Sequence, residues 1–324
     1  MAAVTLASGP RVISSADEDW LRLWDVRKGG EIGKPEPSDF YLALAGCGVV
    51  EDRFAILAVR PVSTSGRVRL CLWHRRDLAQ PLGMPEHFGF DMAANEMLTG
   101  VACTAVENRQ AIAITCGNRR SSSGRSIEGV IRFWDLRDLT EWSPPLIDHH
   151  GAVQTVTTTC INGRLHVATG GDDGMIRLWD LKSGARRSRL IGHDGPVRVL
   201  KAVALGERPY IVSGGDDGTV RLWNLETSRL TRKFAGHAGM VRRIVPVTLE
   251  RHPHVVTEGD DNRIRLWDLE SGDEIETLWV PDKLRGLVVT TDGSIIVGLD
   301  TMIMALEPGP SLPRLHPIDP VVLP

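Results

Sequence analysis

Along most of this chain apolar and polar residues alternate in short runs, and Gly, Asp, Asn and Ser fill the gaps between runs. A period of two places successive side chains on opposite faces of an extended strand. The interrupting residues are turn formers. One run returns almost unchanged: apolar, Arg, apolar, Trp, Asp. It reads Leu21-Arg22-Leu23-Trp24-Asp25, Ile131-Arg132-Phe133-Trp134-Asp135, Ile176-Arg177-Leu178-Trp179-Asp180 and Ile264-Arg265-Leu266-Trp267-Asp268. Variants are Val220-Arg221-Leu222-Trp223-Asn224 and the weaker Leu70-Cys71-Leu72-Trp73-His74. The last three intervals between these tryptophans are 45, 44 and 44 residues.

Upstream of each Trp lies a second apolar run, such as His166-Val167-Ala168-Thr169, Tyr210-Ile211-Val212-Ser213 or His254-Val255-Val256-Thr257. Further upstream is a third, such as Val153-Gln154-Thr155-Val156, and no helical period intervenes. Each unit therefore predicts four short strands joined by turns, which is what one propeller blade requires. A lone blade has two apolar faces and is stable only when stacked on others. The pattern predicts an all-β fold: a seven-bladed β-propeller of four-stranded antiparallel blades. The predicted blades span approximately 1–35, 36–85, 86–146, 147–190, 191–234, 235–279 and 280–316. The propeller itself is expected over 1–307, with a Pro-rich tail at 308–324. Blade seven has three runs, at 287–290, 294–297 and 302–305, with Thr291-Asp292-Gly293 as a hairpin turn, and no Trp. Terminal repeats often degenerate in this way. The tail is expected to add an edge strand near Arg314-Leu315-His316 to the closure of the ring.

A finer pattern runs through the three best units. The sets are His149, Thr169, Asp173, Trp179; His193, Ser213, Asp217, Trp223; and His237, Thr257, Asp261, Trp267. The offsets from His are 20, 24 and 30 in every set. An indole N–H only donates, a hydroxyl both accepts and donates, and His links a hydroxyl to a carboxylate. A structural relay from Asp through His and Ser/Thr to Trp is expected, satisfying each buried polar group. These units resemble WD repeats, with Gly192-His193 and Gly236-His237 as the Gly-His dipeptide and 24–25, 134–135, 179–180 and 267–268 as the Trp-Asp dipeptide. The resemblance implies a propeller that serves as an interaction platform. It implies partner-lining positions five residues after each such His and just before each structural Asp. Here these are Gln154, Arg198 and Arg242, with Asp172, Asp216 and Asp260; Arg285 is the blade-seven equivalent. Two readings of the Arg residues stand side by side. They are anchors for a partner, or they pair with Asp of adjacent blades.

Loops supply further candidates on the end that carries the His and Asp positions. The connection 118–126, containing Arg119-Arg120-Ser121, is predicted to be a long loop, with a shorter counterpart at 61–67. The passage 86–100, carrying Phe88 and Phe90, is also predicted to be a connection. Arg119-Arg120-Ser121 also reads as a phosphorylation site, against the plainer reading of a solvated loop.

Composition narrows the function. Net charge is −3, which disfavours a nucleic-acid or membrane binder working by bulk charge. The five cysteines, at 47, 71, 103, 116 and 160, lack metal-ligand spacing and read as buried free thiols of a reducing compartment. There is no secretory leader pattern and no long apolar run, so a cytoplasmic protein is expected. Arg far exceeds Lys, the usage of a GC-rich bacterial genome. Asp–His–Ser is also a hydrolase constellation, but the hydroxyl lies mid-strand beside a Trp and no nucleophile elbow accompanies it. The paired aspartates at 172–173, 216–217 and 260–261 do not supply the converging oxygens that Ca²⁺ needs. His252 and His254, read as lying in a turn, lack a third metal ligand. No catalytic residue, metal or cofactor is therefore expected. The predicted function is a non-enzymatic scaffold or regulatory module that binds a protein or peptide, with no small-molecule substrate. An enzyme or small-ligand sensor using a central channel is the alternative.

Overall fold

In the computed structural model every regular element is a strand, and no helix occurs among the described residues. The structure describes residues 140–280 without interruption, and on either side of them the strands and some turns. Before Glu96, side chains are described only at Asp25, Lys28 and Ile32. The chain divides into two compact units, Met1–Val153 and Gln154–Pro324.

The first unit holds three antiparallel sheets among its described residues. Sheet 1 orders Ala2–Leu6, Gly9–Ala16 and Trp20–Asp25 in sequence, and the short strands Gly30–Glu31 and Glu36–Pro37 both pair with Trp20–Asp25. Sheet 2 runs Gly46–Val50, Arg53–Val62, Arg67–Arg75, His87–Asp91. Sheet 3 runs Glu96–Ala105, Ala111–Arg120, Ile127–Asp135, Glu141–His150. First strands are neighbours: Ala2–Leu6 lies by Gly46–Val50, and Gly46–Val50 by Glu96–Ala105.

The second unit repeats the plan. Sheet 4 is Val153–Ile161, Arg164–Gly171, Met175–Asp180, Arg186–Ile191. Sheet 5 is Val197–Leu205, Arg208–Gly215, Thr219–Asn224, Arg229–Ala235. Sheet 6 is Val241–Leu249, His252–Gly259, Arg263–Asp268, Glu274–Trp279. Sheet 7 has three strands, Leu284–Val289, Ile295–Leu299 and Ile303–Leu306. Alternation gives each middle sheet two apolar faces. In sheet 5, Ile211 and Trp223 pack toward sheet 4 with Ile176 and Leu178, while Tyr210, Val212 and Leu222 pack toward sheet 6 with Val241 and Trp267. Phe234 meets Trp267 edge-on, with ring centroids 5.7 Å apart. Leu266 and Val256 face the other way, onto Leu287 and Val297 of sheet 7.

Several expectations change. The passage 86–100 is not a single connection: His87–Asp91 pairs with Arg67–Arg75 as the fourth strand of sheet 2, and Glu96 already opens sheet 3. The polar–apolar alternation His87-Phe88-Gly89-Phe90-Asp91 suits an outer strand. The fourth strands of sheets 2 and 3 therefore end at Asp91 and His150, beyond the positions 85 and 146 expected from the sequence. The loop 118–126 is shorter than expected, because the hairpin ladder continues through Asn118↔Gly129 and Arg119↔Glu128 to Arg120↔Ile127. Arg119 adds an ion pair to Glu128 at 3.2 Å. Ser121 follows the last paired residue, and 122–126 lie outside the described residues. The counterpart 61–67 shrinks likewise, since Pro61 and Val62 pair with Val68 and Arg67. His252 and His254 lie in a strand; the turn is Glu250-Arg251, both at positive φ. His254 is buried, with Nδ1 2.9 Å from the His252 carbonyl. The tail strand is His316–Pro317, and it pairs with Val241–Leu249 of sheet 6 rather than with sheet 1 or sheet 7. Leu315 before it is buried in the core between sheets 6 and 7.

Of the thiols, Cys116 is buried, while Cys103 and Cys160 are half-buried, a departure from five buried ones. Burial pushes Cys103 and Cys116 up to about 12, so neither ionises near neutral pH. The side chains of Cys47 and Cys71 lie outside the described residues.

Candidate functional site

The polar sets lie where the second and third strands of each sheet meet. In sheet 5, Trp223 Nε1–H donates to Ser213 Oγ at 2.8 Å, and that hydroxyl lies 2.7 Å from His193 Nε2. His193 Nδ1 lies 3.0 Å from Asp217. In sheet 6, Trp267 donates to Thr257 at 2.8 Å, His237 Nε2 lies 2.9 Å from Thr257, and Nδ1 lies 2.9 Å from Asp261. In sheet 5 one proton arrangement satisfies the whole relay. The neutral imidazole donates from Nδ1 to Asp and accepts at Nε2 from the hydroxyl, which in turn accepts from Trp. The glycines before the aspartate pairs allow this close approach. A Cβ at Gly215 would lie 2.9 Å, and at Gly259 2.3 Å, from the Nδ1 of its histidine.

In the first set, Trp179 donates to Thr169 at 3.0 Å, and Arg177 Nη1 donates to Asp173 at 2.8 Å. His149 is buried in the last strand of sheet 3, in the other unit.

Sequence reasoning missed the arginine of the repeated run. Arg177, Arg221 and Arg265 are all buried and bind the set's Asp from four residues downstream, at 2.8, 3.0 and 2.8 Å. The signal was present, since each follows its Asp at the same spacing. Arg265 Nη1 also lies 2.7 Å from His237 Nδ1. Sheet 3 achieves the same end differently. Trp134 donates to Thr115 at 2.9 Å, and Arg132 is held by buried Glu96 at 2.6 Å. The longer hairpin hides that Thr from a fixed-offset search. The last residue of the run anchors the turn that follows: Asp180, Asn224 and Asp268 accept its backbone N–H groups. Asn serves as well as Asp there because only an acceptor oxygen is needed.

Electrostatics follow from these contacts. Burial lowers His193 and His237 below the usual 6.5, outweighing the raising effect of Asp217 and Asp261. Burial alone would raise the two carboxyls. The N–H groups of Asp194 and Ala238, together with the histidines, Thr219 and Arg265, hold them down at about 2.

The candidate partner positions form their own pattern. Gln154 Nε2 donates to Asp172 at 2.8 Å. Arg198 grips Asp216 through Nε and Nη2, both at 2.7 Å, and Arg242 grips Asp260 in the same two-pronged way. Each Arg therefore pairs mainly within its own sheet, not with an adjacent one; Arg198 reaches Asp172 of sheet 4 only at 3.8 Å. The backbone explains the aim. The register jumps from Val197↔Gly215 to Val199↔Gly214, so Arg198 is the extra residue of a β-bulge. Arg242 and Arg285 occupy the equivalent jumps in sheets 6 and 7. A bulge redirects the extra residue out of the alternation. These arginines stay partly exposed, Arg198 at 28% and Arg242 at 39% of the side chain.

The family model for the WD domain, G-beta repeat, matches residues 144–180 and 184–224. These two stretches contain Trp179-Asp180, Trp223-Asn224 and the polar sets that begin at His149 and His193, while the set that begins at His237 lies beyond them.

Residues 144–224 thus carry WD repeats.

A search of curated proteins gives no match. WD repeats generally mediate protein–protein interaction, and their proteins are typically non-enzymatic scaffolds. In sheets 5 and 6 the relay groups are consumed by one another. No group of three or more His, Cys, Asp or Glu side chains is placed to hold a metal ion among the described residues. No helix among them is long and apolar enough to cross a membrane.

Proposed function

We propose that the chain is a seven-bladed propeller that binds a protein or peptide partner on the face carrying Gln154, Arg198, Arg242 and Arg285 with Asp172, Asp216 and Asp260. One observation carries the reading: the arginines are bulge residues at equivalent points of successive sheets. A bulge costs ladder regularity and recurs where a side chain must be aimed. The Asp partners hold each guanidinium in a fixed pose, so little freedom is lost on binding. The relays of His193 and His237 then serve architecture, tying the His-bearing connection to the Asp-bearing turn beneath the binding face.

The test is retention of partners by the immobilised protein. The double variant R198A/R242A should lose a partner that the wild type retains. Its unfolding free energy should stay within about 0.5 kcal/mol, as for surface positions. If the variant retains every partner of the wild type, the assignment of this face is wrong.

A further inference from the structure

Sheet 6 departs from sheets 4 and 5 at one position. Gly170 and Gly214 stand at the ends of second strands, where a Cβ would lie 2.6 Å from a methyl of Val197 or Val241 in the next sheet. The equivalent residue in sheet 6 is Glu258, and it is fully buried. Its cross-strand partner is Arg243, where sheet 5 sets Val199 against Gly214. Arg243 Nη1 donates to both Glu258 oxygens, at 2.8 and 3.0 Å, and Nη2 donates to the Arg285 carbonyl of sheet 7. Glycine lets the following strand close in; a paired carboxylate does not. A cleft of about 300 Å³ opens there, lined by Arg242, Glu258, Asp260, Asn262, Lys283 and Leu284.

The charges of the cleft do not cancel. Asp260 is taken by Arg242, and Glu258 by Arg243. The Lys283 ammonium and the Asn262 side-chain amide have no partner among the described residues. The neighbouring exposed Asp282 accepts only the Lys283 backbone N–H, at 2.8 Å. One unmatched positive charge beside an amide donor suits a single carboxylate. A phosphate, with its second charge, would face Glu258 and Asp260 at close range.

We propose that this cleft seats an Asp or Glu side chain of the partner peptide, bonded by Lys283 Nζ and the Asn262 amide. The inference rests on the peptide-scaffold reading above and names the residue type that the scaffold selects.

The test begins with peptides of amidated C-terminus, selected from a random library against the whole chain. In such peptides the only carboxylates are side chains. Selected peptides are then titrated by fluorescence anisotropy against wild type and K283A. The expected peptides share an acidic residue. Changing it to its amide should weaken binding about ten-fold, as should K283A, and the two changes together should weaken it little further. Peptides with no acidic preference that bind K283A as tightly as wild type would overturn the cleft assignment and leave the scaffold standing. Failure to select any peptide would overturn the scaffold reading, and the cleft assignment with it.

Discussion

A histidine that is buried, neutral and hydrogen-bonded at both nitrogens has a definite acid response. In the folded chain His193 and His237 sit below their ordinary 6.5, so the unfolded chain binds protons first as pH falls. Their contribution is complete above 6.5 and declines as pH drops toward the folded value. A protonated ring would also force the Ser213 or Thr257 hydroxyl to accept twice and lose its own acceptor. Glu258 opposes this trend: burial raises it above 4.5, so its contribution is lost as pH rises through its folded value. Urea unfolding should therefore show falling stability from about pH 7.5 to about pH 5.5, with a smaller slope in H237A. A second loss should appear below 3.8, as Asp217 and Asp261 protonate toward about 2. An H237A slope equal to that of the wild type would remove His237 as the cause. At this scale the fixed offsets in the sequence single out side chains that the structure brings within bonding distance in sheets 5 and 6. They did not single out Arg221 or Arg265, because an Arg on a strand reads as solvent-facing until its burial is seen.

Strands and turns were legible where the two-residue period is clean, as in Tyr210–Ser213 or Val220–Asn224. They were misread where a hairpin outran its apolar core: Arg119 and Arg120 are polar yet stay in the ladder, and Arg119 adds its ion pair to Glu128. Bulges were invisible as well. An extra residue at Arg198 or Arg242 leaves no mark in an apolar–polar count, yet it decides where the guanidinium goes. The close approach of sheets is a property of elements too. Gly214→Ala should cost about 1–3 kcal/mol in equilibrium unfolding, because its methyl would meet Val241 Cγ1. The double variant with Val241→Ala should cost less than the sum of the two single changes, since it removes the methyl at 2.6 Å although the Val241 Cβ at 2.8 Å remains. Two costs that simply add would show that the contact is not the cause.

Within the second unit, four sheets stack in chain order and each interior sheet gives its Trp to the sheet before it: Trp223 toward sheet 4 and Trp267 toward sheet 5. The C-terminal segment is part of this stack, not an appendage. Leu315 is 1% exposed and packs with Val247, Val256 and Leu284. Leu315→Ala should therefore destabilise by about 2–5 kcal/mol in urea titration, the usual cost of truncating a buried leucine. A change within about 0.5 kcal/mol, as at an exposed site, would mean that the segment contributes nothing to the core. By itself the sequence determined the strand period, the turn residues and the polar relay positions, because these depend on spacing along the chain. It also carried the family resemblance. Only the tertiary structure decided that the tail joins sheet 6, that Arg198 and Arg242 are clamped within their own sheets, and that Glu258 opens a cleft. Those outcomes depend on which backbones lie side by side, and residues far apart in the chain set that distance.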